Sequence, residues 1–188
     1  MEILRLKDIL ANKVLMRGVV DEIRLGSIFI YPTDTVYGIG CNAEETDSVN
    51  TVREIKHTDH PFSVIVPSKN WVNKKLKVIH TEYLQRLPGP YTLIFKKKRE
   101  DYLSPVSQSD SLGVRIPKHS FSDIINRAGV PFVTTSANIS GQPAISSPKK
   151  IPEKILQQID FVLDAGVISG KPSTVIDLTA DEPKVIRK

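Results

Sequence analysis

Four clusters of polar side chains interrupt otherwise apolar stretches of this chain, and each holds groups suited to a small charged ligand. The first, Pro32-Thr-Asp-Thr-Val-Tyr-Gly38, crowds two threonine hydroxyls, Asp34 and Tyr37 into seven residues. These supply donors and acceptors either to a ligand or to the backbone of their own turn. The second, Lys56-His-Thr-Asp-His-Pro61, offers an ammonium that could neutralise a polyphosphate or favour a helix C-terminus. His57, Asp59 and His60 have metal-ligand chemistry, but no further His or Cys cluster completes a shell, so no metal held by protein groups is expected.

The third cluster joins Ser111-Leu-Gly-Val-Arg-Ile-Pro117 to Val133-Thr-Thr-Ser-Ala-Asn-Ile-Ser-Gly141. Arg115 interrupts an apolar strand, where a guanidinium needs a carboxylate or phosphate: a ligand, or an internal partner such as Asp123. Ser136 and Asn138 can leave a strand end on one side, and Gly141 permits close backbone approach, which suits phosphate oxygens or an ordinary serine-rich turn. No base stands at a recognisable offset from a serine, so a covalent nucleophile is not expected. The fourth cluster is Gly170-Lys-Pro-Ser-Thr-Val-Ile-Asp177 with the terminal Val185-Ile-Arg-Lys188. Gly170-Lys171 lacks the upstream glycine and following helix of a P-loop, and Arg187 on its own reads as a solvated tail residue.

The elements that must position these groups follow from periodicity and punctuation. Lys13–Leu25 has helical spacing and stops at Gly26; Ser27–Tyr31 predicts a strand closed by Pro32. Asp47 or Ser48 is expected to cap a helix that runs to about Lys56 with Val49, Val52 and Ile55 on one face. Strands are predicted at Phe62–Val66, Tyr91–Lys96, Leu112–Ile116, Phe132–Thr135, Phe161–Leu163, Thr174–Leu178 and Val185–Arg187. Helices are predicted within Lys69–Arg86, at Ser122–Arg127 and at Lys154–Ile159. About eight strands and four or five helices intermix without a strict repeat. This predicts an α/β (α+β) fold, a twisted mixed sheet with flanking helices, in a single domain spanning residues 1–188.

Charge narrows the partners. Lys and Arg exceed Asp and Glu by 26 to 21, which favours ATP, tRNA or bulk RNA alike. Aromatics are 6% and form no RNP-like string, so a base-stacking RNA platform is disfavoured. The apolar runs fall far short of the roughly 18 residues of a membrane span, and the mixed charges of Met1–Asp8 do not read as a secretion signal, so a cytoplasmic location is expected. Cys41, the single cysteine, is expected to be a small core residue.

In this order the clusters resemble the YrdC/TsaC family, the threonylcarbamoyl-AMP synthases of tRNA modification. The resemblance runs from about Gly26 to Arg187. It rests on Tyr31-Pro-Thr-Asp-Thr-Val-Tyr-Gly-Ile-Gly40, Pro88-Gly-Pro-Tyr-Thr92, Gly113-Val-Arg-Ile-Pro117, Thr135-Ser-Ala-Asn-Ile-Ser-Gly141 and Ser173-Thr-Val-Ile-Asp177. It implies a YrdC-like fold with a concave basic cleft in which L-threonine, bicarbonate or CO2, and ATP give threonylcarbamoyl-AMP and pyrophosphate. The product would serve threonylcarbamoyl-adenosine formation at position 37 of tRNAs through a separate transferase complex. By the same resemblance Thr35, Arg115, Thr134 and Ser173 surround threonine, while Lys56, Ser111, Ser136, Asn138, the Ala144 backbone and Arg187 contact ATP. Mg2+ would arrive with ATP. The family commonly carries Lys-x-Arg-Pro and a loop about two residues longer where this chain has Lys56-His57-Thr58 to Pro61, leaving His60, Lys69 or Arg53 to compensate. Two further readings stand beside it: an RNA-binding module for tRNA or double-stranded RNA without catalysis, and a carbamoyl-AMP-forming enzyme.

Overall fold

The computed structural model describes residues 2–139 and 141–188; Met1 and Ser140, the latter within the Thr135–Gly141 motif, lie outside them. The chain opens with β1 (Glu2–Arg5), α1 (Leu6–Ala11) and α2 (Lys13–Leu25). Asn12 caps α2, its Oδ1 accepting from the amides of Val14 at 2.8 Å and Leu15 at 3.2 Å, and Gly26 ends it in the left-handed conformation. There follow β2 (Phe29–Tyr31), β3 (Gly38–Gly40), α3 (Thr46–Lys56), β4 (Ser63–Ile65), α4 (Lys69–Lys75), β5 (Leu76–Lys77) and a 3-10 turn at Thr81–Arg86. The second half comprises β6 (Tyr91–Lys97), β7 (Ser111–Arg115), α5 (Phe121–Ala128), β8 (Phe132–Ser136), a 3-10 turn at Pro148–Lys150, α6 (Glu153–Leu156), β9 (Phe161–Asp164), β10 (Thr174–Asp177) and β11 (Lys184–Arg187).

All eleven strands join one sheet in the order β1-β9-β2-β3-β8-β4-β7-β6-β10-β11, with β5 paired to β6. The β1–β9, β2–β9, β4–β7 and β6–β10 pairs are parallel and the remainder antiparallel. The mixed, helix-flanked sheet is the architecture the sequence predicts. No helix among the described residues is long and apolar enough to cross a membrane.

Several elements depart from expectation. Among the described residues there are eleven strands rather than about eight, because β1, β3 and β5 are short and defined by their pairing, β1 with β9, β3 with β2 and β8, and β5 with β6. The Gly-Ile-Gly of β3, for instance, has little strand propensity but is paired on both sides, with β2 and β8. α3 starts at Thr46 with no side-chain cap, so neither Asp47 nor Ser48 takes that role. Lys69–Arg86 breaks into α4, β5 and the 3-10 turn, since β5 pairs with β6. The helix expected at Lys154–Ile159 is one turn long; Asp160 then exchanges hydrogen bonds with Ile28, donating its amide to the carbonyl and accepting the Ile28 amide on Oδ2 at 2.7 Å, which commits the chain to β9.

Alternation along the strands divides the sheet into two faces. One face carries Ile30, Ile39, Val64, Leu93, Val114 and Val133, all buried against Val49, Val52 and Ile55 of α3 and Val72 of α4. Each fully buried aliphatic side chain of this kind stabilises the fold by about 1.5–3 kcal/mol. On the other face, β9, β2 and the start of β8 bury Phe29, Tyr31, Phe132 and Phe161 against α1, α2 and α5. Farther across this second face the inward positions become Thr134, Ser63, Arg115, Thr92 and Val175, and the core gives way to a cleft.

Candidate functional site

The cleft encloses about 370 Å3. Its floor is that polar half of the sheet, and its walls are the 33–38 turn, residues Ser136, Asn138, Gln142 and Ala144, Pro61-Phe62 and the 172–173 segment with Arg187. Thr33 organises the first wall. Its buried Oγ1 accepts from the amides of Thr35 at 3.1 Å and Val36 at 3.2 Å, and lies 2.8 Å from Thr35 Oγ1 and 2.7 Å from the Val36 carbonyl. Across the turn, Gly170 approaches so closely that a β-carbon there would fall 2.0 Å from the Thr35 carbonyl oxygen, so the segment preceding Ser173 can lie against this turn only with glycine at 170.

Arg115 ends β7 facing the cleft and is 7% exposed. Its Nη2 donates to Asp34 Oδ1 at 2.8 Å and to Thr35 Oγ1 at 3.3 Å, while Asp34 Oδ2 accepts the Lys118 amide at 2.8 Å. The internal partner is therefore Asp34 and not Asp123, which lies in the first turn of α5. Arg115 Nε is buried with no hydrogen-bond partner, a costly state for so strong a donor. Burial lowers the pKa of this guanidinium, Asp34 opposes that shift, and the nearby charge of Arg187 adds to it. Among the described residues the cleft lining holds two guanidinium groups and no carboxylate, with Asp34 paired to one of them, an environment that attracts anions.

Arg187 is exposed, yet it is tied down at the cleft rather than free in a tail. Its Nε and Nη2 donate to the Ser173 carbonyl at 3.1 and 3.0 Å, and Ser173 Oγ lies 2.8 Å from Thr92 Oγ1 in the sheet floor. β11 carries this arginine back over the cleft because it pairs with β10, whose first residue follows Ser173. Thr134 Oγ1 accepts a 2.6 Å hydrogen bond from the Tyr31 hydroxyl. Tyr37, by contrast, is turned out of the cleft into the core and donates to the Gly166 carbonyl at 2.8 Å.

Eight of the ten residues singled out in the sequence line this one cleft: Thr35, Arg115, Thr134, Ser173, Ser136, Asn138, Ala144 and Arg187. Two do not. Lys56, at the end of α3 and 4% exposed, sends its Nζ to the carbonyls of Ser136, at 2.6 Å, and Asn138, and to Asn138 Oδ1 at 3.1 Å, holding the 136–138 segment from behind. Burial pushes its ammonium down to about 8, while three acceptors favour the charged form. Ser111 shares the cleft face of β7 with Arg115 but stands four residues away, roughly 13 Å at strand rise, with its Oγ against Ser109 Oγ at 3.1 Å. Thr33, Ser63, Thr92 and Gln142 also line the cleft and were not assigned roles from sequence. The alternation of Ser63 with the apolar Val64 was the available signal for one of them.

The shortened 57–61 loop has its own support. Arg53, one turn before Lys56, donates to the carbonyls of Thr58 at 3.2 Å, His60 at 2.9 Å and Pro105 at 2.7 Å, and lies 4.6 Å from the centroid of the Phe62 ring. Of the three candidates to compensate for the family arginine, Arg53 is committed to this backbone clamp, and neither His60 nor Lys69 lines the cleft.

Comparison with known proteins gives a consistent picture. Residues 21–188 match the family model Sua5_yciO_yrdC, described as "Telomere recombination". A Methanocaldococcus jannaschii protein, named provisionally as a threonylcarbamoyl-AMP synthase, is 36% identical over 94% of this chain and 86% of its own length. The crystal structure of Pyrococcus abyssi Sua5 complexed with L-threonine superposes with a TM-score of 0.85 at 32% identity, over 94% of this chain. This chain covers 54% of that Pyrococcus protein, about half its length. The crystal structure of Escherichia coli YciO, a protein with no named activity, matches with a TM-score of 0.83 at 27% identity over 94% of this chain and 90% of the other.

Proposed function

The chain belongs to the Sua5/YciO/YrdC family, which includes the threonylcarbamoyl-AMP synthases, and from that premise we propose that its cleft converts L-threonine, bicarbonate or CO2, and ATP into threonylcarbamoyl-AMP and pyrophosphate. The observation that carries this reading is Arg115: a buried guanidinium whose Nε lacks a partner, facing a hydroxyl-lined cleft. A carboxylate is the complement of such a fork. The threonine-bound relative from Pyrococcus supports the same choice of ligand.

In the proposed reaction the threonine carboxylate sits on Arg115 with the hydroxyls of Thr35, Thr134 and Ser173 around the amino acid. Its free amine adds to CO2, forming the N–C bond and releasing one proton, which gives a carbamate. A carbamate oxygen then attacks the α-phosphorus of ATP, forming the new O–P bond as the bond to the bridging oxygen breaks and pyrophosphate leaves with that electron pair. Ser136, Asn138, the Ala144 backbone and Arg187 hold the nucleotide, Lys56 acts from behind through the 136–138 segment, and Ser111 lies on the same strand face farther out. The protein supplies orientation and positive charge, not a covalent nucleophile.

The donor set suits Mg2+ that arrives on ATP phosphates: both Asp34 oxygens are already engaged, by Arg115 and the Lys118 amide, and the other cleft groups are hydroxyls and amides able to bind its waters. Such an ion would neutralise charge on the departing pyrophosphate. The single sheet running from β1 to β11 supports reading residues 1–188 as one domain. We place the enzyme in the cytoplasm, its product passing to the threonylcarbamoyl transferase that modifies position 37 of tRNAs. Pyrophosphate release with L-threonine, with L-serine and with no amino acid, each with and without bicarbonate, tests the assignment. Release that requires threonine and bicarbonate is expected; release independent of the amino acid would remove it.

A further inference from the structure

The apolar and polar halves of the second sheet face meet at one side chain. Tyr31 on β2 is fully buried, its ring stacked on Phe121 with centroids 4.4 Å apart and edge-on to Phe132 at 5.3 Å. The hydroxyl leaves this aromatic cluster and reaches Thr134 Oγ1 on β8 at 2.6 Å, with the Val133 carbonyl at 3.4 Å. β3 runs between those two strands, and the residue paired directly with Tyr31 is Gly38. A β-carbon at 38 would lie 2.7 Å from both Cζ and the hydroxyl oxygen of Tyr31, so the phenol crosses the middle strand through a gap that glycine leaves.

We propose that Tyr31 is a positioning residue that turns the Thr134 hydroxyl proton into the cleft, making Thr134 a hydrogen-bond donor to the anionic end of the bound amino acid. This role rests on the threonine reading above. The phenol has one proton to give, and Thr134 Oγ1 at 2.6 Å outcompetes a carbonyl at 3.4 Å. Burial among the rings raises the Tyr31 pKa well above the usual tyrosine range, so the group stays protonated and donates. With that donor fixed on one lone pair of Thr134 Oγ1, the threonine's own proton must point elsewhere, and the open side is the cleft it lines beside Arg115. Without the phenol hydroxyl, that lone pair has no donor on it and the Thr134 rotor is no longer directed into the cleft.

The test is a double-mutant cycle on Tyr31→Phe and Thr134→Val, read by calorimetric titration of L-threonine and by steady-state pyrophosphate release. Tyr31→Phe keeps the ring, and is expected to weaken L-threonine binding and raise its KM about fivefold, the scale of one net hydrogen bond, with the ATP KM and Tm nearly unmoved. Thr134→Val should weaken threonine binding further, Thr134→Ser should restore it to within about twofold of the parent, and Tyr31→Phe should have no added effect in the Thr134→Val background. A purely packing role would lower Tm and leave threonine KM unchanged, or give equal losses in both backgrounds; either outcome overturns the inference. Wild-type protein that binds no L-threonine would overturn the substrate assignment and this role together, whereas normal binding by Tyr31→Phe would overturn this role alone.

Discussion

Two charged side chains carry opposite lessons about burial. Arg115 lines the cleft with one buried donor, Nε, unpaired, and Arg115→Ala is expected to raise the KM for L-threonine on the order of 10- to 100-fold, the scale of a lost charge-assisted hydrogen bond, while changing that for ATP much less. Steady-state kinetics with each substrate varied separately checks the split. Lys56 is buried with its donors satisfied, and its ammonium is pushed down to about 8 from an unfolded value of 10.5. Between those values the unfolded chain binds more protons than the folded one, so this residue's contribution to stability rises with pH; the burial penalty is fully present below about 8 and is relieved toward 10.5. Function should move the other way. The neutral amine has two N–H groups for three acceptors, so the 136–138 segment loosens and the ATP KM climbs above pH 8. An ATP KM that stays flat from pH 7 to 9.5, or that climbs identically in Lys56→Arg, would contradict this.

At the scale of elements, the cleft depends on two segments that touch no proposed reacting atom. Arg53 ties the 57–61 loop to the 105–106 backbone and lies over Phe62, which lines the cleft. Arg53→Ala should cost about 1–2 kcal/mol in urea unfolding, because several carbonyls, most of them half-buried, lose a charged donor at once. Gly170 is pinned by geometry: Gly170→Ala places a β-carbon 2.0 Å from the Thr35 carbonyl, so either the 33–38 turn or the chain leading to Ser173 must shift. Raised KM values for threonine are expected with a small change in Tm, and unaltered kinetics would show that this close approach is dispensable.

Across the whole molecule, the sequence revealed groups that interrupt apolar runs more readily than it revealed the partners they choose. Three of the four polar clusters meet a strand end and the second follows the end of α3, and Arg115 stood out as a charge within the apolar run of β7. That Arg115 would pair with Asp34, 81 residues away, depends on the sheet bringing β7 beside the turn after β2, which no local pattern encodes. The inward turn of Lys56 was hidden for a similar reason, since a lysine at a helix C-terminus is equally at home in solvent. β1, β3 and β5 are too short or too glycine-rich to announce themselves, and exist because neighbouring strands complete their ladders. The resemblance of the ordered motifs divided the cleft between an amino acid and a nucleotide; geometry alone describes a basic, hydroxyl-lined space that prefers anions.

The most direct measurement is mass spectrometry of the products formed from ATP, L-threonine and carbon-13 bicarbonate. The account predicts threonylcarbamoyl-AMP bearing one heavy carbon, formed together with pyrophosphate and strongly reduced in Arg115→Ala. Pyrophosphate without a threonine-containing adenylate, or no turnover alongside salt-sensitive tRNA binding, would contradict it.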